Sequence, residues 1–175
     1  YGERAIKDLR ARAWGRVANA LRATSDLAGA EEALTTAARH LKVGSGEPLE
    51  EAEHLYFTAS LHRAKRRLDE ALRAIHRSRR IYRMVGDQHL EGRSLMCEGA
   101  IRDLRGETEE SLACCRLARQ QVSPERDRRL AVAAHHNLVW QLMCTGRPEE
   151  ALRELEDLRP AYAELNDQIP LLKLR

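Results

Sequence analysis

One pattern recurs four times along this chain and limits its fold more than any other feature. The segments SDLAGAEEALTTAARHL, RRLDEALRAIHRSRRIY, GETEESLACCRLARQQV and GRPEEALRELEDLRPAY each pass from polar turn residues into an amphipathic helical pattern. Their shared small residue falls at Ala30, Ala71, Ser111 and Ala151, spaced by 41, 40 and 40 residues. A fixed period of this size marks stacked supersecondary units, each burying its apolar face mainly against its neighbours. It moves the functional expectation away from catalysis and towards binding surfaces.

Composition agrees with a helical repeat. Apolar residues make up 43% of the chain and aromatics only 4%, which suits helices packed through alanine and leucine and suits a β-sandwich poorly. Strict alternation is absent and helix formers dominate, so no strand is expected. The periodicity predicts antiparallel helix pairs at about 3–23 with 27–42, 49–64 with 67–85, 89–104 with 108–122, and 125–144 with 148–165. Ser25-Asp26, Gly86-Asp87, Gly106 and Gly146 supply breaks, Pro148 suits a first helical turn, and 44–48 reads as a linker between repeats. The repeats then span about 3–43, 49–86, 88–122 and 125–166 of a single solenoid covering 1–175. A ninth helix starts near 168, with Ile169, Leu171, Leu172 and Leu174, and stops at Arg175 unpaired. Terminal repeats need a polar outer face, so the chain is expected to be a fragment of a longer array or to dock this helix on something.

The net charge is only +3, so bulk electrostatics do not announce a nucleic-acid binder. Its distribution is uneven: nine Lys and Arg lie between Arg63 and Arg83 against Asp69 and Glu70, while the stretch from Arg147 to Asp167 is acidic. The four cysteines, Cys97, Cys114, Cys115 and Cys144, form no CxxC pair and read as reduced, buried small residues of a cytoplasmic protein. No apolar run reaches the roughly 20 residues a bilayer-spanning helix needs.

The units resemble the tetratricopeptide repeat, in which a bulky and then a small residue on the first helix meet a small, large, small series on the second. The series here are Trp14, Ala18, Ala30, Leu34 and Ala37; Leu55, Ala59, Ala71, Ile75 and Ser78; Leu95, Gly99, Ser111, Cys115 and Ala118; and His135, Val139, Ala151, Leu155 and Leu158. The resemblance covers nearly the whole chain and implies an all-α fold, a right-handed α-solenoid of antiparallel helix pairs. Two departures stand out. The period is about 40 rather than 34, and Val139 and Leu158 replace small residues, so the fourth pair is expected to pack more loosely or rotated. The longer period is similar to repeats of bacterial regulators such as the maltose-type activator ATPases, which implies a sensing or docking module beside an effector domain. An arginine-rich composition (30 Lys plus Arg, less Lys7, Lys42, Lys65 and Lys173, leaves 26) fits a bacterial source with a GC-rich genome.

The resemblance also implies that the first helix of each pair lines a concave groove. Its candidates are Arg12, Asn19, Arg22; Tyr56, Ser60, Arg63; Arg93, Met96, Asp103; and His136, Asn137, Trp140, Met143. Arginine and asparagine hold peptide backbone or carboxylate, and tyrosine, tryptophan and methionine supply apolar anchors, so the expected partner is a protein or peptide of acidic character. The plainer alternative is that Trp140 and Met143 pack on the next helix and the arginines are solvated. The rival site is the basic patch Arg66, Arg73, Arg77 and Arg80, which reads first as a solvated face. Its functional readings are an acidic partner, self-association with the acidic fourth repeat of another copy, or RNA. The near-absence of interleaved aromatics weakens the RNA reading.

Neither a metal nor a cofactor is expected. His135 and His136 are adjacent on a helix and cannot both face one ion, and no i, i+4 His/Cys pair converges with Cys97 or Cys144. Gly-rich phosphate loops are absent, and no catalytic motif supports a Cys–His nucleophile or a carboxylate pair. The expectation is a non-catalytic interaction module of a bacterial regulatory or scaffold protein. The alternatives are the peptide- or ligand-sensing arm of a transcription regulator and, behind it, an RNA-binding repeat.

Overall fold

The computed structural model describes residues 2–164. It is all-helical, with α1 (Glu3–Ala23), α2 (Leu27–Lys42), α3 (Pro48–Ala64), α4 (Leu68–Met84), α5 (Gln88–Leu104), α6 (Thr108–Gln121), α7 (Arg128–Cys144) and α8 (Pro148–Glu164). No strand occurs among the described residues. The expected ninth helix at 168–175 lies outside them. Two compact units, Tyr1–Asp87 and Gln88–Arg175, each hold two helical hairpins: α1–α2 with α3–α4, and α5–α6 with α7–α8. Within each unit successive hairpins pack on one another, which fits a helical repeat.

The period of the side chains is also a period of the backbone. Ser25, Arg66, Gly106 and Gly146 carry φ of 68, 59, 79 and 70°, each just past the first helix of its pair. In every case the next N–H reaches back five residues, Asp26 to Leu21, Arg67 to His62, Glu107 to Arg102 and Arg147 to Leu142, at 2.9–3.0 Å. This left-handed residue closes the helix end and turns the chain back into its partner helix. Glycine adopts it without a Cβ penalty; serine and arginine do not.

The registered small residues hold the hairpins shut. Ala30, Ala71, Ser111 and Ala151 are buried, as are Ala18, Ala59, Gly99 and Val139 on the first helices. Two serines show how close the backbones come. The Ser111 hydroxyl donates to the Gly99 carbonyl at 2.9 Å, and the Ser78 hydroxyl to the Ala52 carbonyl at 2.7 Å, each across its hairpin and buried. The fourth pair substitutes bulk for closeness. Val139 and Leu158 are buried with Leu112, Leu138, Leu142 and Tyr162, and α7 and α8 approach over the least extensive stretch of the four pairs.

Each unit is tied by one buried side chain from its first helix. In unit 1, Asp8 of α1 accepts the Ser45 N–H at 3.1 and 3.2 Å. The segment 44–48 is therefore pinned to α1 and is not a slack linker; a Cβ on Gly44 would fall 1.9 Å from the Asp8 carboxylate. In unit 2, Nδ1 of His89 on α5 accepts the Ser123 N–H at 3.2 Å.

Two expectations need correction. The helix expected from 125 begins at Arg128, because the Ser123 hydroxyl oxygen accepts from Arg126 N–H at 3.1 Å and rounds a separate turn. Asp127 then caps α7 by accepting from Leu130 N–H at 2.9 Å. Of the four cysteines, Cys97, Cys114 and Cys115 are buried, but Cys144 is exposed at the end of α7. No helix among the described residues is long and apolar enough to cross a membrane.

Candidate functional site

In unit 1 the candidates lie on α1 and α3, and neighbouring side chains engage several of them. Arg12 is exposed, yet its guanidinium pairs with the buried Glu50 of α3, with Nε 3.2 Å from Oε2, and approaches Glu53 at 3.9 Å. That hydrogen bond to Glu50 holds Arg12 still more firmly charged. Arg22 donates to Asn19 Oδ1 on the same helix at 3.0 and 3.2 Å. Tyr56 is half-buried and sets its ring edge-on to Phe57, with centroids 5.7 Å apart. Ser60 is buried and donates to the Tyr56 carbonyl at 3.0 Å, so it faces no solvent. Arg63 is half-buried, and its Nε has no acceptor among the described residues.

In unit 2 the arrangement is more open. Met96 of α5 is half-buried against Leu95, Cys114 and Ala118. Arg93 is half-buried, and Asp103 accepts from the Gln141 side chain of α7 at 3.3 Å. On α7, His136 and Asn137 are half-buried, whereas Trp140 is 57% and Met143 55% exposed. Helical spacing puts His136, Trp140 and Met143 on one face, opposite Leu138 and Leu142, which are buried in the hairpin core. The Tyr162 hydroxyl of α8 fixes His136 through Nδ1 at 2.6 Å. Tyr162 itself is buried, so the polar end of this face is anchored from beneath.

The basic patch belongs to α4 and the turn before it. Arg73, Arg77 and Arg80 are exposed on one face, and Arg66 occupies the left-handed turn position. Arg77 pairs with Glu51 at 3.0 Å. The acidic fourth repeat spends several of its charges internally. Glu150 pairs with Arg116 at 2.6 Å and Glu154 with His135 at 2.7 Å, while Arg147 reaches Glu109 at 2.9 Å.

Burial sets the protonation of the thiols and imidazoles. It pushes the Cys115 thiol up to about 11, while partial desolvation and the nearby Asp103 raise the thiol of the exposed Cys144. It also pushes His54, His62 and His135 below theirs, against the opposing Glu154 contact at His135. Thiols kept protonated are poor nucleophiles, and imidazoles kept neutral carry no positive charge near neutral pH. Among the described residues no three His, Cys, Asp or Glu side chains converge in a way that could hold a metal ion.

Sequence reasoning missed two features. The first is an open groove of unit 2 lined by Arg119, Arg128, Val132, His135, Asp157 and Leu158; these residues come from three helices and share no motif. The second is the outward face of α1, where Ile6, Leu9, Trp14 and Val17 stay exposed. Their helical spacing was visible, but spacing does not say which side of an apolar helix its partners leave bare. No protein-family model matches this chain, and no curated protein matches it either.

Proposed function

We propose that this chain is a non-catalytic protein-interaction module of the tetratricopeptide type, serving a regulatory or scaffold protein, and that it binds a peptide segment. The observation that carries the reading is the α7 face, where Trp140 and Met143 stand exposed beside a His136 fixed by Tyr162. A large aromatic and a flexible thioether on a rigid helix are the side chains that dominate binding energy at interfaces. The helix is already folded, so little conformational freedom is lost on binding. In unit 1, Arg63, whose buried Nε lacks an acceptor among the described residues, offers a separate contact to a carboxylate of an acidic partner.

The test is selection of binders from a random peptide library against the full chain, followed by affinity measurement on variants. Trp140→Ala is expected to weaken the selected peptides by about 30-fold, and Met143→Ala by less. Peptides enriched in Asp and Glu that engage unit 1 are expected to lose affinity on Arg63→Ala, whatever their response to Trp140→Ala. Recovery of no peptide, or only of peptides indifferent to Trp140 and Met143, overturns the reading.

A further inference from the structure

The helix α1 has two apolar faces and uses one. Ala11, Gly15 and Ala18 are buried, together with Asp8, where α2 and α3 pack. At about 100° per residue, Ile6, Leu9, Ala13, Val17 and Ala20 fall within an arc of about 80° on the opposite side. Leu9 is 52% exposed, Ile6, Trp14 and Val17 are 40–42% exposed, and Ala13 and Ala20 are exposed as well. No other helix of the described residues leaves as many large apolar side chains in solvent. A stripe of this length is the kind of surface that folded proteins keep for an interaction.

Its borders say what covers it. Arg10 and Arg16 flank the stripe, both exposed and neither ion-paired among the described residues. A second copy fits badly. In an antiparallel pair crossing at Ala13, Leu9 meets Val17 and Ile6 meets Ala20, but each edge then faces its own copy, Arg10 beside Arg10 and Arg16 beside Arg16. A parallel pair sets the Arg10 edge against the Arg16 edge of the other copy, again cation on cation. The small residues Ala13 and Ala20 favour a helix as the occupant, because they admit another backbone to the 8–10 Å of close helix packing. The inner face of α1 uses the same device.

We propose that the outward face of α1 docks an amphipathic α-helix of a partner protein, with an apolar stripe bordered by Asp and Glu. The contact runs from Ile6 to Ala20, about 21 Å, or four turns of the incoming helix. It is a second surface, separate from the α7 face, and it stands or falls independently of that reading.

The experiment uses the full chain and a library of helical peptides with a fixed apolar stripe and randomised flanks. Trp140→Phe leaves Trp14 as the sole reporter tryptophan. Enrichment of acidic flanks is expected, with a blue shift of Trp14 emission on binding. The double variant Leu9→Asp and Val17→Asp is expected to lose at least about tenfold in affinity, as is Arg10→Glu with Arg16→Glu. Because these positions are solvent-exposed, far-ultraviolet dichroism is expected to stay unchanged. Trp140→Ala is expected to leave these peptides bound. Flanks without acidic bias, or binding indifferent to Leu9 and Val17, overturn the proposal. So does a dimer in sedimentation that Leu9→Asp dissolves, which assigns the face to a second copy. A Trp14 shift on anionic vesicles assigns it to a membrane surface instead.

Discussion

Units 1 and 2 solve the same construction problem with different residues. Each folds two hairpins together and pins the connection between them with a buried side chain from its first helix, a carboxylate at Asp8 and an imidazole at His89. Each reverses direction through left-handed residues, glycines at 106 and 146 in unit 2 but Ser25 and Arg66 in unit 1. Each seals its last hairpin differently, with Ser78 reaching a carbonyl in unit 1 and Leu158 filling space in unit 2. The repeat therefore conserves geometry, a close helix pair and a left-handed turn, and leaves the chemistry that achieves it free.

The sharpest break in the parallel is at the position shared by Ser78 and Leu158. Leu158→Ala empties the centre of a cluster that small residues elsewhere close by approach, and should cost about 2–5 kcal/mol in urea unfolding. Ser78→Ala removes one hydroxyl and no volume filler, and should cost about 1 kcal/mol. Equal costs would mean that unit 2 relaxes to the closer geometry of unit 1. The two pins come next. Asp8→Ala strands the Ser45 N–H and should cost about 1–3 kcal/mol, while Asp8→Asn, which keeps an acceptor, should cost less. His89→Ala likewise strands one backbone donor, the Ser123 N–H, and should fall in the same range.

The helices were legible because their signal is local and repeated. Seven of the eight begin and end within a residue or two of the expected bounds, since apolar period and breakers act within a few residues. The exception is the start of α7, where helix formers at 125–126 lose to a serine-capped turn. The register of Ala30, Ala71, Ser111 and Ala151 identified the hairpin contact, and all four are buried. What stayed hidden depends on which elements meet. Nothing local to Asp8 says that its carboxylate receives Ser45, 37 positions away. Ser60 shares the spacing of the groove candidates, but α3 is buried on several sides and takes it inside. Arg66 gave no signal at all, because an arginine does not read as a turn residue.

Acid should loosen both units through their histidines. His54 and His62 in unit 1 and His135 in unit 2 are all pushed below the ordinary value by burial. The unfolded chain then binds more protons than the folded one as pH drops below about 6.5, so unfolding free energy falls with falling pH. Urea midpoints measured across this window should decline, and His54→Gln should flatten the decline more than His135→Gln. At His135 the contact with Glu154 recovers part of the loss once the ring is charged. A midpoint that rises on acidification would show that this ion pair outweighs the burial of all three rings.

The smallest effect is also the cleanest test of the comparison, because it stabilises. Arg66 sits at φ 59°, in the position that Gly106 and Gly146 occupy in unit 2. Its side chain is exposed, so replacing it removes no core contact. The backbone bond that closes the turn, Arg67 N–H to the His62 carbonyl at 2.9 Å, does not involve the Arg66 side chain. Arg66→Gly should therefore relieve the left-handed strain and raise stability by about 0.5–1 kcal/mol, after the greater chain entropy that glycine brings to the unfolded state is set against the gain. Arg66→Ala keeps the Cβ and should give no such gain, and Gly106→Ala in unit 2 should lose a comparable amount. If Arg66→Gly destabilises instead, the arginine contributes through its charge, and the basic patch on α4 holds the turn that the backbone alone does not.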